Sequence, residues 1–209
     1  MPLKTHTNLP KNRLAHSYQS TIPHHTALNQ KLGINHNARV FFFAGAMGDW
    51  ARALSHSTRL TFSDIDSTRV NMSKSNPWRI KRFLTVAGEL FPRRKKRFDW
   101  SVSYEPYPMK QPGKIKQTDL RGALVRSLLN QKGAKLIVGT TVNAHWQRNG
   151  LFEVAQSVAE EFGAQASQKL VKIKLKRSAN TSFSEEECAV ITLSTNDSAR
   201  TKAIDYLSK

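Results

Sequence analysis

Short apolar segments alternate with amphipathic ones from residue 39 onward, and this order predicts alternating strands and helices. Arg39 to Phe43 (RVFFF) is predicted as the first strand and Arg59 to Ser63 (RLTFS) as the second. A turn of small residues, Ala44 to Gly48, leads from the first strand into a short predicted helix at 49–55. Another helix is predicted at 67–75, after the second strand. The beginning of this region therefore has the element order of an α/β protein.

The middle of the chain continues the alternation. Third and fourth strands are predicted at Arg82 to Val86 and at Phe98 to Ser103. Thr118 to Asn130 has its leucines along one helical side, and Gly133 is expected to follow the end of that helix. Lys135 to Val138 is predicted as a fifth strand.

The carboxyl-terminal part adds one more helix and two strands. Apolar residues recur every three or four positions from Leu151 to Phe162, which predicts a helix that Gly163 ends. Lys169 to Lys176 alternates apolar residues with lysines, and Ala189 to Thr195 is its expected antiparallel partner. We therefore predict an α/β fold with a seven-stranded, mostly parallel sheet, a carboxyl-terminal antiparallel β-hairpin and helices on both faces.

The amino-terminal segment differs from the rest. Residues 1–30 are basic and histidine-rich without sustained hydrophobic periodicity, so we predict an extension at 1–30 and one domain at 31–209. No metal site is predicted at His24 and His25, because no cysteine or acidic residue lies nearby in the sequence. Cys188 is the only cysteine, which favours a reducing, cytoplasmic location. An organellar targeting segment remains an alternative, since the first acidic residue is Asp49.

Charge narrows the functional classes. The chain has 33 Lys and Arg against 15 Asp and Glu, a formal net charge of +18, which indicates a polyanionic partner. Its longest apolar run, Val40 to Met47, is far shorter than the roughly 20 residues of a membrane helix, so nucleic acid is preferred over a membrane.

A run of five consecutive cations lies between the third and fourth predicted strands. We predict that this run and three following lysines contact phosphates: Arg93, Arg94, Lys95, Lys96, Arg97, Lys110, Lys114 and Lys116. The alternative is a solvated loop, which is the usual role of a charge run. The lysines at 172, 174 and 176 have two equal interpretations, a nucleic-acid contact or an edge strand protected from aggregation by charge.

The order of strand, small-residue turn, helix, strand and acidic strand end resembles the class I S-adenosylmethionine-dependent methyltransferases, from about Arg39 to Thr195. The resemblance implies a Rossmann-like fold and S-adenosylmethionine as cofactor. It also implies that the turn approaches the methionine part of the cofactor and that Asp64, 20 residues after Ala44, binds the ribose hydroxyls. The cofactor-binding residues expected from it are Ala44, Gly45, Ala46, Gly48, Asp64, Ile65 and Glu89.

The end of the fourth strand resembles the Asn-Pro-Pro-Tyr loop of methyltransferases that modify exocyclic amines of bases. The corresponding residues, Tyr104, Glu105, Pro106 and Tyr107, are the expected catalytic residues, and Tyr107 would stack on a base removed from its helix. The implied function is methyl transfer to a base of nucleic acid. RNA is preferred over DNA because no separate domain for reading a duplex is visible.

An alternative keeps the fold without the chemistry. Ala44 and Ala46 stand at two of the three usual glycine positions, and Phe42 stands where the family usually has an acid. The turn could then be a ligand-free connection, and Asp64 could cap the following helix. The alternative function is a catalytically inactive, methyltransferase-like RNA-binding or ribonucleoprotein component.

Overall fold

The computed structural model describes residues 31–35, 37–43, 59–64, 82–85, 98–104, 117–139, 145–175 and 184–209. The strands are β1 Arg39–Phe42, β2 Arg59–Asp64, β3 Arg82–Thr85, β4 Trp100–Tyr104, β5 Gly133–Gly139, β6 Gln165–Leu175 and β7 Ser184–Ser194. The helices are α1 Gln117–Ser127, α2 His145–Phe162 and α3 Asp197–Leu207. The α/β class predicted from the sequence is confirmed.

All the strands form one sheet with the order β3-β2-β1-β4-β5-β7-β6. The strands from β1 to β5 pair in parallel, and β7 pairs antiparallel with both β5 and β6. The chain builds outward from β1 to β3 and then continues on the other side of β1 with β4. This reversal of direction between β1 and β4 is a topological switch point, and open α/β sheets bind ligands at the carboxyl ends of strands at such points.

The last two strands, β6 and β7, are each longer than any other strand of the sheet. β6 and β7 pair over 11 residues each, from Gln165 opposite Ser194 to Leu175 opposite Ser184. β5 pairs with only seven residues of β7, up to the pair of Gly139 and Cys188. The remaining pairs of β6 and β7 therefore extend beyond β5 as a two-stranded arm.

The first face of the sheet packs against all three described helices. Apolar residues that alternate along the strands, such as Phe41, Leu136 and Ile191, pack against Leu124 of α1 and Ala155 of α2 in one buried cluster. The periodicity of α1 and α2 therefore has the predicted effect of burying one side of each helix.

The second face has its own buried cluster. It combines Val40 and Phe42 of β1 with Ile137 of β5, and Leu32 and Ile34 from the segment before β1 belong to it. The helices predicted at 49–55 and 67–75 lie outside the described residues. Helices on both faces therefore remain a prediction for this side of the sheet.

The connection from α1 to β5 is held by buried polar contacts. The Asn130 side-chain amide donates to the Ser101 hydroxyl at 2.8 Å and to the Gly133 carbonyl at 3.1 Å. Gly133 has a φ of +116°, and a Cβ there would lie 2.0 Å from the Leu193 carbonyl oxygen. Gly133 follows the end of the helix as expected and is the first residue of β5, where the close approach of β7 requires a glycine.

The helix α3 was not predicted from the sequence. Asn196 caps its amino terminus by accepting a hydrogen bond from the Ala199 backbone amide at 2.8 Å. Its buried residues are Ala199, Arg200 and Ala203, and its larger apolar residues Ile204 and Leu207 are only partly buried against the core. The hydrophobic periodicity is therefore too weak to indicate a helix. α2 also begins earlier than predicted, at His145, because its first two turns are mostly polar.

None of the three described helices combines the length and the apolar content needed to cross a lipid bilayer.

Candidate active site

The ends of β2, β1 and β4 lie side by side at the carboxyl edge of the sheet. Phe42 of β1 is opposite Phe62 of β2 and also opposite Val102 of β4. Asp64 and Tyr104 each lie two residues further along and end their strands. They therefore flank the continuation of β1 at one height, about 10 Å apart across two interstrand spacings. This edge is at the switch point between β1 and β4, where a ligand is expected.

Hydrogen bonding and packing hold the end of β1 in place at this edge. The Phe43 backbone amide donates to the Val102 carbonyl at 3.0 Å, so the pairing with β4 continues one residue beyond β1. The rings of Phe41 and Phe43 are stacked 6.2 Å apart in the buried cluster of the first face, and Phe42 belongs to the buried cluster of the second face. The turn predicted to begin at Ala44 thus follows a strand end held on both faces of the sheet.

The opposite ends of β1 and β4 are joined through Asp99. The Arg39 backbone amide donates to Oδ2 of Asp99 at 2.6 Å, and Nη2 of Arg39 lies 3.5 Å from Oδ1. The Asp99 backbone amide in turn donates to the Arg39 carbonyl at 2.8 Å. These contacts set the register of the two strands, and the register determines how their carboxyl ends align.

Ser103 is a polar residue at this edge that the sequence did not single out. It lies next to Tyr104, its side chain is fully buried, and its hydroxyl has no hydrogen-bond partner among the described residues. An unpaired buried hydroxyl costs about 1–3 kcal/mol. The pattern FDWSVS contains no signal for this, because a serine in a strand is equally compatible with either face.

Most of the predicted site residues lie outside the described residues. Asp64 pairs with Thr85 of β3 and Tyr104 with Ile137 of β5 through their backbones. The other predicted cofactor and catalytic residues lie outside: Ala44, Gly45, Ala46, Gly48, Ile65, Glu89, Glu105, Pro106 and Tyr107. So do the predicted phosphate contacts Arg93, Arg94, Lys95, Lys96, Arg97, Lys110, Lys114 and Lys116. The roles of all these residues stay predictions.

No protein-family model matches the chain, and no curated protein sequence matches it. Solved structures do match. The N-methyltransferase NodS from Bradyrhizobium japonicum WM9, in complex with S-adenosyl-L-homocysteine, is 14% identical with a TM-score of 0.56, covering 91% of this chain and 90% of NodS. Magnesium protoporphyrin IX methyltransferase (ChlM) from Synechocystis PCC 6803, also with bound S-adenosyl-L-homocysteine, is 12% identical with a TM-score of 0.53, covering 93% of this chain and 90% of ChlM.

A third similar structure is a candidate RNA methyltransferase, PH1948, from Pyrococcus horikoshii. It is 12% identical with a TM-score of 0.55, over 83% of this chain and 82% of PH1948. The similarity extends over most of each chain in all three cases. Together with the strand order, it shows that the protein has the fold of the class I S-adenosylmethionine-dependent methyltransferases.

Proposed function

We propose that the protein is an S-adenosylmethionine-dependent methyltransferase that transfers a methyl group to a base of nucleic acid, with RNA as the expected substrate. The observation that carries this proposal is the alignment of Asp64 and Tyr104 on either side of the end of β1. An acidic residue and the residue that precedes the predicted base-binding loop thus lie about two interstrand spacings apart, roughly 10 Å, at the switch point of the sheet.

Each group at this edge has a proposed role. The Asp64 carboxylate accepts hydrogen bonds from the ribose hydroxyls, and the backbone of the turn from Ala44 to Gly48 approaches the methionine part. Ile65 and Glu89 contact the adenosyl group. When bound, S-adenosylmethionine supplies a methyl group that its sulfonium already activates. The protein therefore needs to align the acceptor more than to provide a nucleophile.

The acceptor is held by the loop that follows β4. Tyr104 or Glu105 accepts a hydrogen bond from the amine, Pro106 restricts the path of the loop, and Tyr107 stacks on the base. Two of the similar structures are an N-methyltransferase and a magnesium protoporphyrin IX methyltransferase, so this fold occurs with different methyl acceptors. The net charge of +18 supports nucleic acid here, with the cations at 93–97, 110, 114 and 116 contacting phosphates.

Calorimetric titration with S-adenosyl-L-homocysteine tests the cofactor site. We expect micromolar binding that Asp64→Ala weakens at least tenfold, because the variant lacks the acceptor for the ribose hydroxyls. Asp205→Ala, at an exposed position on α3, is the matched control and should bind as the unaltered protein does. Absence of heat at millimolar ligand contradicts the proposal.

Transfer of labelled methyl groups from S-adenosylmethionine to RNA, compared with transfer to DNA of the same sequence, tests the substrate.

The second candidate is an inactive, methyltransferase-like RNA-binding or ribonucleoprotein component. The alanines at positions 44 and 46 favour it, since each adds a methyl group where the backbone should approach the cofactor. An inactive component binds RNA without binding S-adenosyl-L-homocysteine. Substituting glycine for both Ala44 and Ala46 would then create measurable affinity for S-adenosyl-L-homocysteine. In an active enzyme the same substitutions would only modify an affinity already present.

A further inference from the structure

Three lysines come together on the second face of the sheet. We call them the lysine cluster: Lys132 before β5, Lys135 in β5 and Lys169 in β6. Lys132 and Lys169 are exposed, whereas Lys135 is only 6% exposed. Three like charges thus share one region of the surface.

Lys135 is surrounded by groups that do not neutralise it. Its Nζ donates to Thr192 Oγ1 at 3.3 Å and lies 4.2 Å from the centre of the Trp100 ring. No carboxylate forms an ion pair with it within the described ranges. Burial, followed by repulsion from Lys169 and Lys132, lowers the pKa of its ammonium from 10.5 to about 8. The positive potential at this site is therefore uncompensated.

Lys169 of the cluster and Lys31, which precedes β1, are both held in place by backbone carbonyls. Lys169 Nζ donates to the Lys31 carbonyl at 3.1 Å, and Lys31 Nζ donates to the Lys172 carbonyl. These contacts connect the segment before β1 to the edge strand β6 and orient both ammonium groups. Because a carbonyl is neutral, neither lysine loses its charge through these contacts.

Protection of an exposed sheet edge does not explain the cluster. Lysines on an edge strand oppose aggregation, and this accounts for Lys169 on β6. It does not account for Lys135, because β5 lies between β4 and β7 in the interior of the sheet. An uncompensated lysine at this position is expected of a surface that attracts an anion.

We propose that the lysine cluster binds the phosphodiester backbone of the RNA, on the second face of the sheet and apart from the methyl-transfer edge. The identity of this partner rests on the proposed function. Lys135 and Lys169 are two strands apart and two residues out of register, about 12 Å, which suits a series of phosphates better than one small anion. Trp100 lies four residues before Tyr104 on β4, about 13 Å, so one RNA strand can reach both places.

Paired lysine substitutions of equal charge test the cluster. Lys132→Gln/Lys169→Gln is compared with Lys202→Gln/Lys209→Gln, whose lysines are exposed in the carboxyl-terminal part of the chain. Binding of a fluorescent oligouridylate of about 20 nucleotides is followed by anisotropy against salt. We expect the cluster variant to bind about tenfold more weakly and to lower the slope of log K against log salt by about 1.4, whereas the control stays close to the unaltered protein.

The outcomes distinguish this inference from the proposed function. Equal effects of the two double variants would overturn the cluster as the RNA surface and leave the proposed methyltransferase intact. A loss of slope in the cluster variant alone, without any S-adenosyl-L-homocysteine binding, would support the cluster and contradict the enzyme. If the unaltered protein does not bind the oligonucleotide, both the RNA substrate and the cluster are overturned.

Lys135→Met gives a second test that does not depend on the exposed lysines. The variant should melt several degrees higher, because it removes a buried unneutralised charge, yet it should bind the oligouridylate at least threefold more weakly. A stability gain with unchanged RNA affinity would exclude Lys135 from the binding surface. A lysine with a purely structural role predicts the opposite, a loss of stability with no effect on binding.

Discussion

Two cationic side chains are buried in the part of the chain that the structure describes, and their surroundings are opposite. Arg200 of α3, 4% exposed, pairs with the Asp197 carboxylate and donates from Nη2 to the carbonyls of Asn130 at 3.0 Å and Gln131 at 3.3 Å. Lys135 has a hydroxyl, an aromatic face and two other lysines around it.

This difference separates a charge that supports the fold from one that opposes it. Arg200 joins α3 to the connection between α1 and β5 by donating to the Asn130 carbonyl in a buried contact and to the Gln131 carbonyl in a partly buried one. The charge of Lys135 weakens the native state, and its removal relieves a cost. A buried group that costs stability is a candidate for a function other than folding.

The largest expected effect is at the glycine beside the Arg200 contacts. Gly133→Ala should lower the free energy of unfolding by about 3 kcal/mol or more, because its Cβ would lie 2.0 Å from the Leu193 carbonyl oxygen at a φ of +116°. Gly163→Ala is the matched control, with a φ of +74° and no atom within 3.7 Å, and should cost only about 1 kcal/mol. Urea denaturation measures both. Equal losses would contradict the close packing of β7 on β5.

Arg200→Met should have the next largest effect. The methionine fills much of the volume but leaves the carbonyls of Asn130 and Gln131 without their donor, so we expect a loss of about 2–3 kcal/mol. The loss should be measured by urea denaturation at pH 7. Asp197→Asn tests the carboxylate separately and should cost less, because the Asp197 side chain is 92% exposed. A neutral Arg200→Met variant would remove the contrast with Lys135.

Lys135→Met should change stability by a smaller amount and in the opposite direction, a gain of about 1 kcal/mol at pH 7. With a native pKa of about 8 against 10.5, the native lysine releases its proton first, so the unfolded state holds more protons between these values. The stability contributed by Lys135 therefore rises as pH increases from about 8 to 10.5, and the advantage of the methionine variant should shrink over that window.

The groups that face Lys135 make this pH dependence specific. Trp100 of β4 and Thr192 of β7 do not titrate in this window, and Lys169 and Lys132 are the charged neighbours. Urea denaturation of both proteins from pH 7 to 10.5 measures the difference between them, from which the other titrating groups cancel. A constant difference across the window would mean that Lys135 is not buried in its charged form.

Hydrophobic patterning predicted most of the described elements but not all. Runs such as RVFFF and the heptad-like spacing in α2 indicated strands and helices correctly, because burial of one face imposes a period on the sequence. The α3 helix was missed, since its most buried residues are small alanines and an arginine. Its stability comes from tertiary contacts and from the Asn196 cap, which leave little periodicity in the sequence.

The candidate site was predicted in part. The position of Asp64 at the end of a strand followed from the pattern, and so did that of Tyr104. The lysine cluster could not be predicted, because Lys169 is distant in sequence from Lys132 and Lys135 and meets them only through the order of strands in the sheet. The cations at 93–97, in contrast, are adjacent in the sequence, and consecutive charges are visible without any structure.

The amino-acid sequence alone determined the α/β character, the excess of positive charge and the residues that end the strands, since these follow from local periodicity and composition. Only the tertiary structure decided which strands are neighbours, and therefore that Asp64 and Tyr104 share an edge and that Lys135 is buried beside other lysines. The physical reason is that pairing between strands and the desolvation of a charge depend on distant parts of the chain, whose arrangement no local pattern contains.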